Sequence, residues 1–489
     1  MISFKKTIVQ FGFGAVGKSF FEKVKKEISF QENQYFVITR DPSEFEPYMN
    51  LGGISTNFYV YDVQKENYQE IFQKFLKEGD LLIDFADTIG TRDLCIWCIE
   101  HKVMYLNTGE ADWPENWYSI FNENLRKREL CQLYPEISYP IVLQHGNNPG
   151  LVSHFVKAAL AYIVKTQKKK DRQCRRLWKE KKWNELARLL KVRMIHVNDI
   201  DLQQLKTPCS PDQLVCTWCP DTFFFELLSE SCENLGTQEQ INKLDPYRYY
   251  DSERGFLEYE KLACDRRCKT YYPNGAFQGY LVPHEETITI AQALEVVEED
   301  RVCYRPTVMF LYEPPISAKT YLEQSKVNTY PHPIPGKPQD DNNEIIRGHR
   351  YPKEMKIAYQ EDLDGNTEYV GVLVMGEEFD PVWVGNRVEP KFLYQKKKDS
   401  YFQTPTITPV AMSSLAAVCW MLKHQNEGGI YFPDDLPDSS SILKLAEKYI
   451  SKTIYCTFPK EELEKELNIS FSQLESWCFY KNEKNHPKE

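Results

Sequence analysis

The stretch Thr7-Ile-Val-Gln-Phe-Gly-Phe-Gly-Ala-Val-Gly17 places a short apolar strand directly before three glycines spaced as GxGxxG. A helix should follow, because apolar residues recur every four positions at Val16, Phe20, Val24 and Ile28. Glycines permit a tight turn and close backbone approach, and the start of a helix offers N–H groups to a pyrophosphate. The stretch therefore predicts the first turn of a Rossmann-type dinucleotide-binding domain.

The same pattern indicates which residues hold the cofactor. In the turn itself they are Gly12, Gly14, Ala15, Val16 and Gly17. The apolar run Tyr35–Thr39 follows at the distance expected of the second strand, and Asp41 behind it is the candidate for the ribose hydroxyls. Arg40 would instead favour a 2′-phosphate, so NADP stays open beside NAD.

Three more apolar runs, Leu81–Phe85, Val103–Leu106 and Ile141–Gln144, alternate with helical stretches, which predicts a doubly wound parallel sheet. Ligands collect at the carboxyl ends of such strands, and polar residues follow all three runs. Further cofactor contacts are therefore expected at Asp87, Thr88, Asn107, Thr108, His145, Asn148 and Pro149. The loop after Ile141–Gln144 has a plainer explanation as well, since Asn, Pro and Gly are common in strand-to-helix turns.

The length of 489 residues predicts several domains, which we place at residues 1–150, 151–408 and 409–489. The net charge of −11 disfavours a nucleic-acid surface and suits a cationic ligand. The longest apolar run, Val410–Leu422, is shorter than the ~20 residues of a membrane span, and no apolar signal region follows Met1. We expect a cytoplasmic protein with reduced cysteines.

The segment from Lys165 to Arg193 is rich in lysine and arginine. Such a run can bind nucleic acid or an anionic membrane, and it supports a rival function of that class. However, Trp183, Leu186 and Leu189 lie at helical spacing among the charges, which favours a solvated amphipathic helix.

The stretch Cys216-Thr-Trp-Cys-Pro-Asp221 has two interpretations. Two thiols three residues apart suggest a zinc or redox pair, whereas Trp218 between them suggests a face for a cation. Structural zinc often uses two close cysteine pairs, and a suitable second pair is missing, so we predict no metal.

Several stretches together resemble the bacterial homospermidine synthases, within the saccharopine-dehydrogenase-like superfamily. The residues that carry the resemblance are the glycine turn, His145-Gly-Asn-Asn-Pro-Gly-Leu-Val-Ser-His-Phe-Val-Lys157, Trp183–Leu190, Ile195–Asp201, Thr217-Trp218, Gly279–Glu285, Tyr304–Thr307 and Gly371–Val374. The resemblance covers most of the chain. It implies a Rossmann-type NAD domain joined to an α+β, mixed-sheet domain for substrate binding and dimerisation, and hence a homodimer.

The reaction implied is the condensation of two putrescines, or of spermidine as aminobutyl donor with putrescine. One amine is oxidised to an imine, ammonia or diaminopropane leaves, the second amine adds, and the same nicotinamide reduces the new imine. A saccharopine- or carboxyspermidine-dehydrogenase-like NAD(P)H reductase is the alternative.

The resemblance also implies roles for individual residues. Trp218 would stabilise the cationic iminium, Asn148 would bind the substrate nitrogen, and His284 would relay a proton unless it is an ordinary core histidine. Asp199 falls where the family has a glutamate. Two choices stay open: the substrate-binding glutamate is Glu226 or Glu230, and the ammonium ligand near the cofactor is Glu110 or Asp112.

Overall fold

The computed structural model describes residues 1–86, 89–113, 130, 133–168, 170–327, 345–365, 367–393 and 402–480. The chain folds into two compact units. Unit 1 comprises Met1–Leu151 and Lys391–Ser451, and unit 2 comprises Val152–Pro390 and Lys452–Glu489. Residues 391–451 thus belong with the first 151 residues, whereas the division at 150, 408 and 489 stays a prediction about domains.

Unit 1 is built on a seven-stranded sheet in which every neighbouring pair is parallel. Across the sheet the strands are Gly429–Tyr431, Pro140–Val142, Met104–Asn107, Leu81–Asp84, Ile8–Phe11, Tyr35–Thr39 and Phe58–Val60. Starting at Phe58–Val60 and numbering the strands along the chain, this is the 3-2-1-4-5-6 order of dinucleotide-binding folds, with Gly429–Tyr431 added as a seventh strand. The predicted doubly wound sheet is confirmed.

The helices of unit 1 are Ala15–Glu27, Phe45–Asn50, Tyr68–Phe75, Thr91–Glu100, Ile407–Lys423 and Ser439–Glu447, and the short helix Pro390–Leu393 begins at the last residue of unit 2's first segment. Apolar residues of the strands and of Tyr68–Phe75 and Thr91–Glu100 form one buried core. The Ile407–Lys423 helix is buried over nearly its whole length, as its apolar sequence predicts.

Unit 2 is built on a ten-stranded mixed sheet. Its main path runs Tyr247–Asp251, Phe256–Leu262, Glu230–Asn234, Thr307–Glu313, Val192–Asp201, Glu368–Gly376, Val382–Val388 and Ile454–Thr457, and the hairpin Arg267–Tyr272 and Gly275–Leu281 joins it at Thr307–Glu313. Val192–Asp201 and Thr307–Glu313 are parallel, while their other neighbours in the sheet are antiparallel. The predicted mixed sheet is therefore present.

Two-stranded pairs surround this sheet: Gln213–Cys216 with Glu354–Ile357, Val296–Glu298 with Arg301–Tyr304, and Ile345–Ile346 with His349–Arg350. A two-stranded pair in unit 1 joins Ile2–Ser3 to Ile28–Ser29. The helices of unit 2 are Leu151–Thr166, which starts at the last residue of unit 1's first segment, Arg172–Lys179, Trp183–Leu189, Pro220–Leu227, Glu285–Ala293, Ile316–Ser325 and Lys460–Leu467.

The two faces of the mixed sheet differ because side chains alternate along a strand. One face carries Ile200, Leu311 and Leu373, which pack in a large apolar core with residues after Phe458. The other face carries Asp199, Asp201 and Tyr312, all of them buried. Buried carboxylates on one face of a sheet mark the place where a site is to be sought.

The basic segment forms two short helices rather than one, because Lys181 adopts a positive φ of 56° between Arg172–Lys179 and Trp183–Leu189. Several of its cations face carboxylates, as in the pairs Arg188–Glu298 and Arg193–Glu377. Within the described part of the chain, no helix has both the length and the apolar character required to span a membrane.

Candidate functional site

The glycine turn of unit 1 has the geometry of a phosphate cradle. A Cβ on Gly17 would lie 2.5 Å from the Gly12 carbonyl oxygen, and one on Gly12 would lie 2.8 Å from the Phe85 carbonyl carbon. A Cβ on Gly14 would meet nothing within 4 Å, and Gly14 precedes the Ala15–Glu27 helix without a side-chain cap. The turn is therefore tight where it packs on the sheet and open where a dinucleotide pyrophosphate would approach N–H groups, so these residues fit such a cofactor.

Gln10 holds this turn together, a role that the glycine pattern alone does not predict. Its buried Nε2 donates to the carbonyl oxygens of Gly12 and Gly17, each at 3.0 Å, and its Oε1 accepts from the Tyr35 hydroxyl at 2.6 Å. A buried amide in the centre of an otherwise apolar strand is the signal that marks such a brace.

Asp41 lies exposed just beyond the Tyr35–Thr39 strand, where the ribose-binding acid is expected. Hydrogen bonds to its carboxylate from Ser43, with the nearby charges of Lys18 and Arg40, lower its pKa against a smaller opposing effect of burial. Asp41 is therefore an anion at neutral pH, which suits ribose hydroxyls. Arg40 is exposed beside it.

Two strand-end loops of unit 1 are tied together by Asn107. Its Oδ1 accepts from the Gln144 backbone N–H at 2.7 Å, and its Nδ2 donates to the Gly109 carbonyl oxygen at 2.8 Å. Asn107 is thereby a brace between the loops, while Thr108 next to it is half-buried. Asp87 and Thr88, at the third strand end, lie outside the described residues.

The loop from His145 to Gly150 is fixed by the Ile407–Lys423 helix. Ser414 donates to the His145 carbonyl oxygen at 3.0 Å, and Ser413 Oγ lies 3.3 Å from its Nδ1. His145 is fully buried, whereas Asn148 is partly accessible before a cis Pro149. Of the two side chains, Asn148 is the one placed to meet a ligand.

Glu110 and Asp112 follow the next strand end in unit 1. Glu110 Oε1 accepts from Gln144 Nε2 at 2.7 Å, which places its carboxylate between two strand ends. Asp112 Oδ1 accepts from the adjacent Trp113 N–H at 2.8 Å, which is a local bond within its own loop. The geometry supports Glu110 of the two rivals.

Trp218 of unit 2 lies beside the acidic face of the mixed sheet. Its Nε1 donates to the Tyr312 hydroxyl at 3.0 Å, and its ring meets Phe223 edge-on at 6.3 Å. Tyr312 pairs in register with Asp199 on the neighbouring strand. Burial chiefly raises the pKa of Tyr312, and the charges of Cys216, Asp199 and Asp201 add to the effect, so the phenol remains neutral.

Asp201 is held next to the tryptophan by Thr217. Thr217 Oγ1 donates to Asp201 Oδ2 at 2.5 Å, and Gln203 donates to Asp201 Oδ1 through its backbone N–H at 2.8 Å. Asp199 and Asp201 are two residues apart on one strand, so they face the same side. Through its bond to Tyr312, the indole therefore contacts the sheet face that carries both acids.

Glu226 and His284 meet at the same side of unit 2. Glu226 lies in the last turn of the Pro220–Leu227 helix, and its Oε1 lies 3.7 Å from His284 Nε2. The His284 ring stacks on Phe310, with centroids 4.0 Å apart and planes 15° apart. Phe310 and Tyr312 share one strand face, which brings the histidine and the tryptophan over the same part of the sheet.

Electrostatics in this cluster are set by burial and by like charges. Burial raises the pKa of Glu226 to about 8; His284 opposes this, and Glu285, Glu286 and Asp199 add to it. Burial alone would lower the pKa of His284, but the carboxylates of Glu286, Glu285 and Glu226 together raise it well above its usual range. The histidine is therefore an imidazolium among acids at neutral pH.

Glu230 is engaged elsewhere. It forms ion pairs with Arg248 and, at 2.9 Å, with Arg347. A carboxylate held by two guanidinium groups is already neutralised, so Glu226 is the better-placed of the two predicted glutamates.

The cysteines near Trp218 are not gathered into a thiolate cluster among the residues that the structure describes. Burial raises the pKa of Cys216 far above its usual range, which opposes a thiolate. Cys219 caps the Pro220–Leu227 helix and accepts from Thr222 at 3.2 Å. Within the described ranges, the group with metal-ligand spacing is His284, Glu285 and Glu286, whose ligand atoms lie within 4.8 Å of one another.

Sequence reasoning missed Tyr312, Phe310, Glu286 and Asp201. An apolar run at Thr307–Glu313 predicts a strand, and alternation along it would have placed Phe310 and Tyr312 on one face. No local pattern indicates that this face meets Trp218, since 94 residues separate the indole from its hydroxyl partner.

Comparison with known proteins agrees with this geometry. Residues 8–136 match the family of the saccharopine dehydrogenase NADP binding domain. The homospermidine synthase of Mesorhizobium japonicum is 24% identical over 86% of this chain and 84% of its own, and that of Blastochloris viridis is 25% identical over 91% and 90%.

Solved structures show the same fold. The homospermidine synthase of Legionella pneumophila, crystallised in complex with NAD, has a TM-score of 0.79 at 24% identity and covers 94% of this chain and 92% of its own. The apo saccharopine dehydrogenase (L-Glu forming) of Saccharomyces cerevisiae has a TM-score of 0.51 at 11% identity, covering 92% of this chain and 100% of its own. The resemblance predicted from the sequence is thereby confirmed: the chain is similar to homospermidine synthases along most of its length.

Proposed function

We propose that this protein is a homospermidine synthase that uses NAD as a recycled redox cofactor. The observation that carries the proposal is the cluster in unit 2, where Trp218 stands beside buried Asp199 and Asp201 and near the Glu226–His284 pair. Its ligand would be a polyamine, putrescine or spermidine, because a dication needs several anions to replace its water.

The acids bind and orient the diamine. Asp199 and Glu226 are close enough for the charge of one to affect the pKa of the other, so a single ammonium group would relieve the repulsion between them. In unit 1, Glu110 and Asn148 are the residues we assign to substrate nitrogen. Asp112 and Glu230 are less suited to bind the substrate, because Asp112 accepts from the Trp113 N–H and Glu230 pairs with two arginines.

Trp218 stabilises the intermediate cation. The Tyr312 hydroxyl fixes the in-plane orientation of the indole by accepting from its Nε1, which leaves the ring face for a charged C=N group. A cation over indole gains roughly 0.5 to 2 kcal/mol, with the larger value where water is excluded. Since this cation exists only along the reaction path, the interaction favours turnover more than substrate binding.

Glu226 and His284 exchange protons with the reacting amines. An acid with a pKa of about 8 gains and loses a proton near neutral pH, which is the property that a general acid and base requires. His284 faces Glu226 and, as an imidazolium, can return a proton to departing ammonia. The histidine is thus assigned a relay role rather than that of an ordinary core residue.

The cofactor would be held by the glycine turn at Gly12, Gly14 and Gly17 with Asp41 at the ribose. When bound, NAD would accept a hydride from the first amine and return it to the new imine. The neighbouring residues Ala15, Val16, Asn107, Thr108, His145 and Pro149 shape or support this cofactor site, and Asp87 and Thr88 are assigned to it from the sequence alone.

The reductase alternative is less well supported. Such enzymes need arginine for a substrate carboxylate, whereas the main charges acting on Glu226 and His284 are carboxylates and each other. A cytoplasmic homodimer that binds neither nucleic acid nor membrane is part of the same proposal, as is the three-domain division at 150 and 408.

Incubation of purified protein with putrescine and NAD tests the function. We expect homospermidine and ammonia in equal amounts, without accumulation of NADH. Formation of NADH in proportion to consumed amine would favour a dehydrogenase, and no product from putrescine or spermidine would remove the proposal.

A further inference from the structure

The buried carboxylate of Glu286 contacts the edge of the His284 ring that faces away from Glu226. Glu286 Oε2 is hydrogen-bonded to His284 Nδ1, while Nε2, on the opposite edge of the ring, faces Glu226 at 3.7 Å. Glu286 is completely buried in the first turn of the Glu285–Ala293 helix, and His284 is the residue preceding that helix. Burial raises the pKa of Glu286, and the charge of His284 together with its hydrogen bond opposes that rise.

We propose that Glu286 is the positioning residue for His284, fixing Nδ1 as its donor so that Nε2 is the nitrogen that exchanges a proton with Glu226 and the substrate amine. This inference rests on the proposed function. A carboxylate behind a catalytic imidazole holds its tautomer and orientation and stabilises the imidazolium that forms.

The packing below the ring supports this role. His284 lies flat on Phe310, so its ring can tilt little, and rotation about its own plane is what remains to be fixed. The bond to Glu286 fixes that rotation. The second oxygen, Oε1, is buried and finds no hydrogen-bond partner among the described residues. A side chain kept for stability alone would be expected to satisfy both oxygens.

The other charges that face the histidine come from two more positions. Glu285, on the same helix turn, lies 3.4 Å from Nδ1, and Glu226, on the Pro220–Leu227 helix, lies at Nε2. Asp199, on the central strand, acts on Glu226 in turn. Removing Glu286 therefore leaves other anions near His284 but takes away the one that sets its orientation.

The test compares wild type with E286Q, E286D and E285Q in homospermidine formation from putrescine across pH 6 to 10. We expect E286Q to lower kcat about tenfold or more with little change in KM, and to move the alkaline limb of the kcat profile to lower pH. E286D should recover part of both. E285Q, the matched control one residue away, should shift the limb less than E286Q does.

An E286Q profile that coincides with wild type would overturn the inference, and so would a raised KM with unchanged kcat, which would make Glu286 a direct substrate ligand. If wild type forms no homospermidine, the proposed function fails and a separate measurement decides the inference. Loss of the Glu286 carboxylate should then shift the pH dependence of the thermal unfolding midpoint toward lower pH in E286Q. If E286Q does not fold, E286D, whose shorter carboxylate lies farther from Nδ1, should show a smaller shift in the same direction. An unshifted curve in the variant that is measured would contradict the inference.

Discussion

Trp218 is the residue on which the proposed chemistry depends most. Replacing it by alanine should lower kcat roughly 2- to 30-fold, because a cation–π contact of about 0.5 to 2 kcal/mol is lost in the transition state. W218F should retain part of the rate, since benzene offers a weaker face. Steady-state homospermidine formation measures both variants.

The control for this variant is Y312F, which removes the hydroxyl that accepts from the indole but keeps both rings. We expect Y312F to lower kcat less than W218A does. The thermal unfolding midpoints of W218A, W218F and Y312F should be similar. A W218A enzyme with undiminished kcat would rule out the cation role.

Glu226 should give the reaction a pH dependence of definite sign. Its pKa is raised to about 8, mainly by burial, so it becomes an anion only as the pH rises through that value. Putrescine should therefore bind more tightly above pH 8 than at pH 6.5, and KM should fall over that interval. In E226Q, KM should be high and should not change over that pH interval. A KM that still falls in E226Q would assign the titration to another group.

Single residues were predictable from the sequence when a chemical type was rare and stood in a distinctive motif. Trp218 and His284 are of this kind. Tyr312 and Glu286 are not, because a tyrosine in an apolar strand and a second glutamate after a histidine look ordinary until the fold brings partners to them. Our preference for Glu226 over Glu230 rests on Arg248 and Arg347, which lie 18 and 117 residues away from Glu230 in the sequence.

The glycine turn gives a matched pair of variants at the scale of an element. G17A should destabilise the protein by about 1 to 3 kcal/mol, because the added Cβ would lie 2.5 Å from the Gly12 carbonyl oxygen. G14A should leave the thermal unfolding midpoint unchanged, since its Cβ meets nothing within 4 Å. Thermal unfolding without and with NAD separates the two.

The informative result is the stabilisation by NAD in G14A. If the open space above Gly14 receives the cofactor, the increase in unfolding midpoint on adding NAD should shrink or vanish in that variant. A full increase would show that the cofactor does not approach Gly14.

The segment Ser476–Phe479 is held to the rest of unit 2 by the half-buried carboxylate of Glu239. Glu239 accepts from the Ser476 backbone N–H at 3.0 Å and from Thr307 Oγ1 at 2.5 Å. Burial first, and the charge of Glu233 next, raise its pKa to about 8 against these hydrogen bonds. Folding therefore favours the protonated acid, and its contribution to stability, full below about pH 4.3, is lost as the pH rises through 8.

Chemical denaturation at pH 6 and pH 9 tests this contribution of Glu239 to stability. In E239Q the amide cannot ionise, so the drop in unfolding free energy between the two pH values should be smaller than in wild type. E461Q, a change at an exposed glutamate, should leave the wild-type difference unaltered within about 0.5 kcal/mol. An E239Q protein with the full wild-type drop would contradict the assignment.

For the whole molecule, the parallel sheet of unit 1 was predictable because five of its strands are short apolar runs that alternate with sequence of helical pattern, and the N-terminal glycines indicate its ligand class. The strand Phe58–Val60 was not predicted. The seventh strand, Gly429–Tyr431, was not, since it pairs with Pro140–Val142 across nearly 300 residues and carries no pattern of its own. The mixed sheet was foreseen only in outline, because its strand order depends on long-range pairing that no local period encodes.

The central claim is that one protein oxidises an amine and returns the same hydride to the condensed imine. Putrescine deuterated at both carbons bearing nitrogen, mixed with enzyme, NAD and an equal concentration of unlabelled NADH, tests it by mass spectrometry of the product. The account predicts homospermidine that keeps all the deuterium of two putrescines. Homospermidine lacking one deuterium would show that the hydride came from exchanged cofactor, and would contradict a recycled NAD.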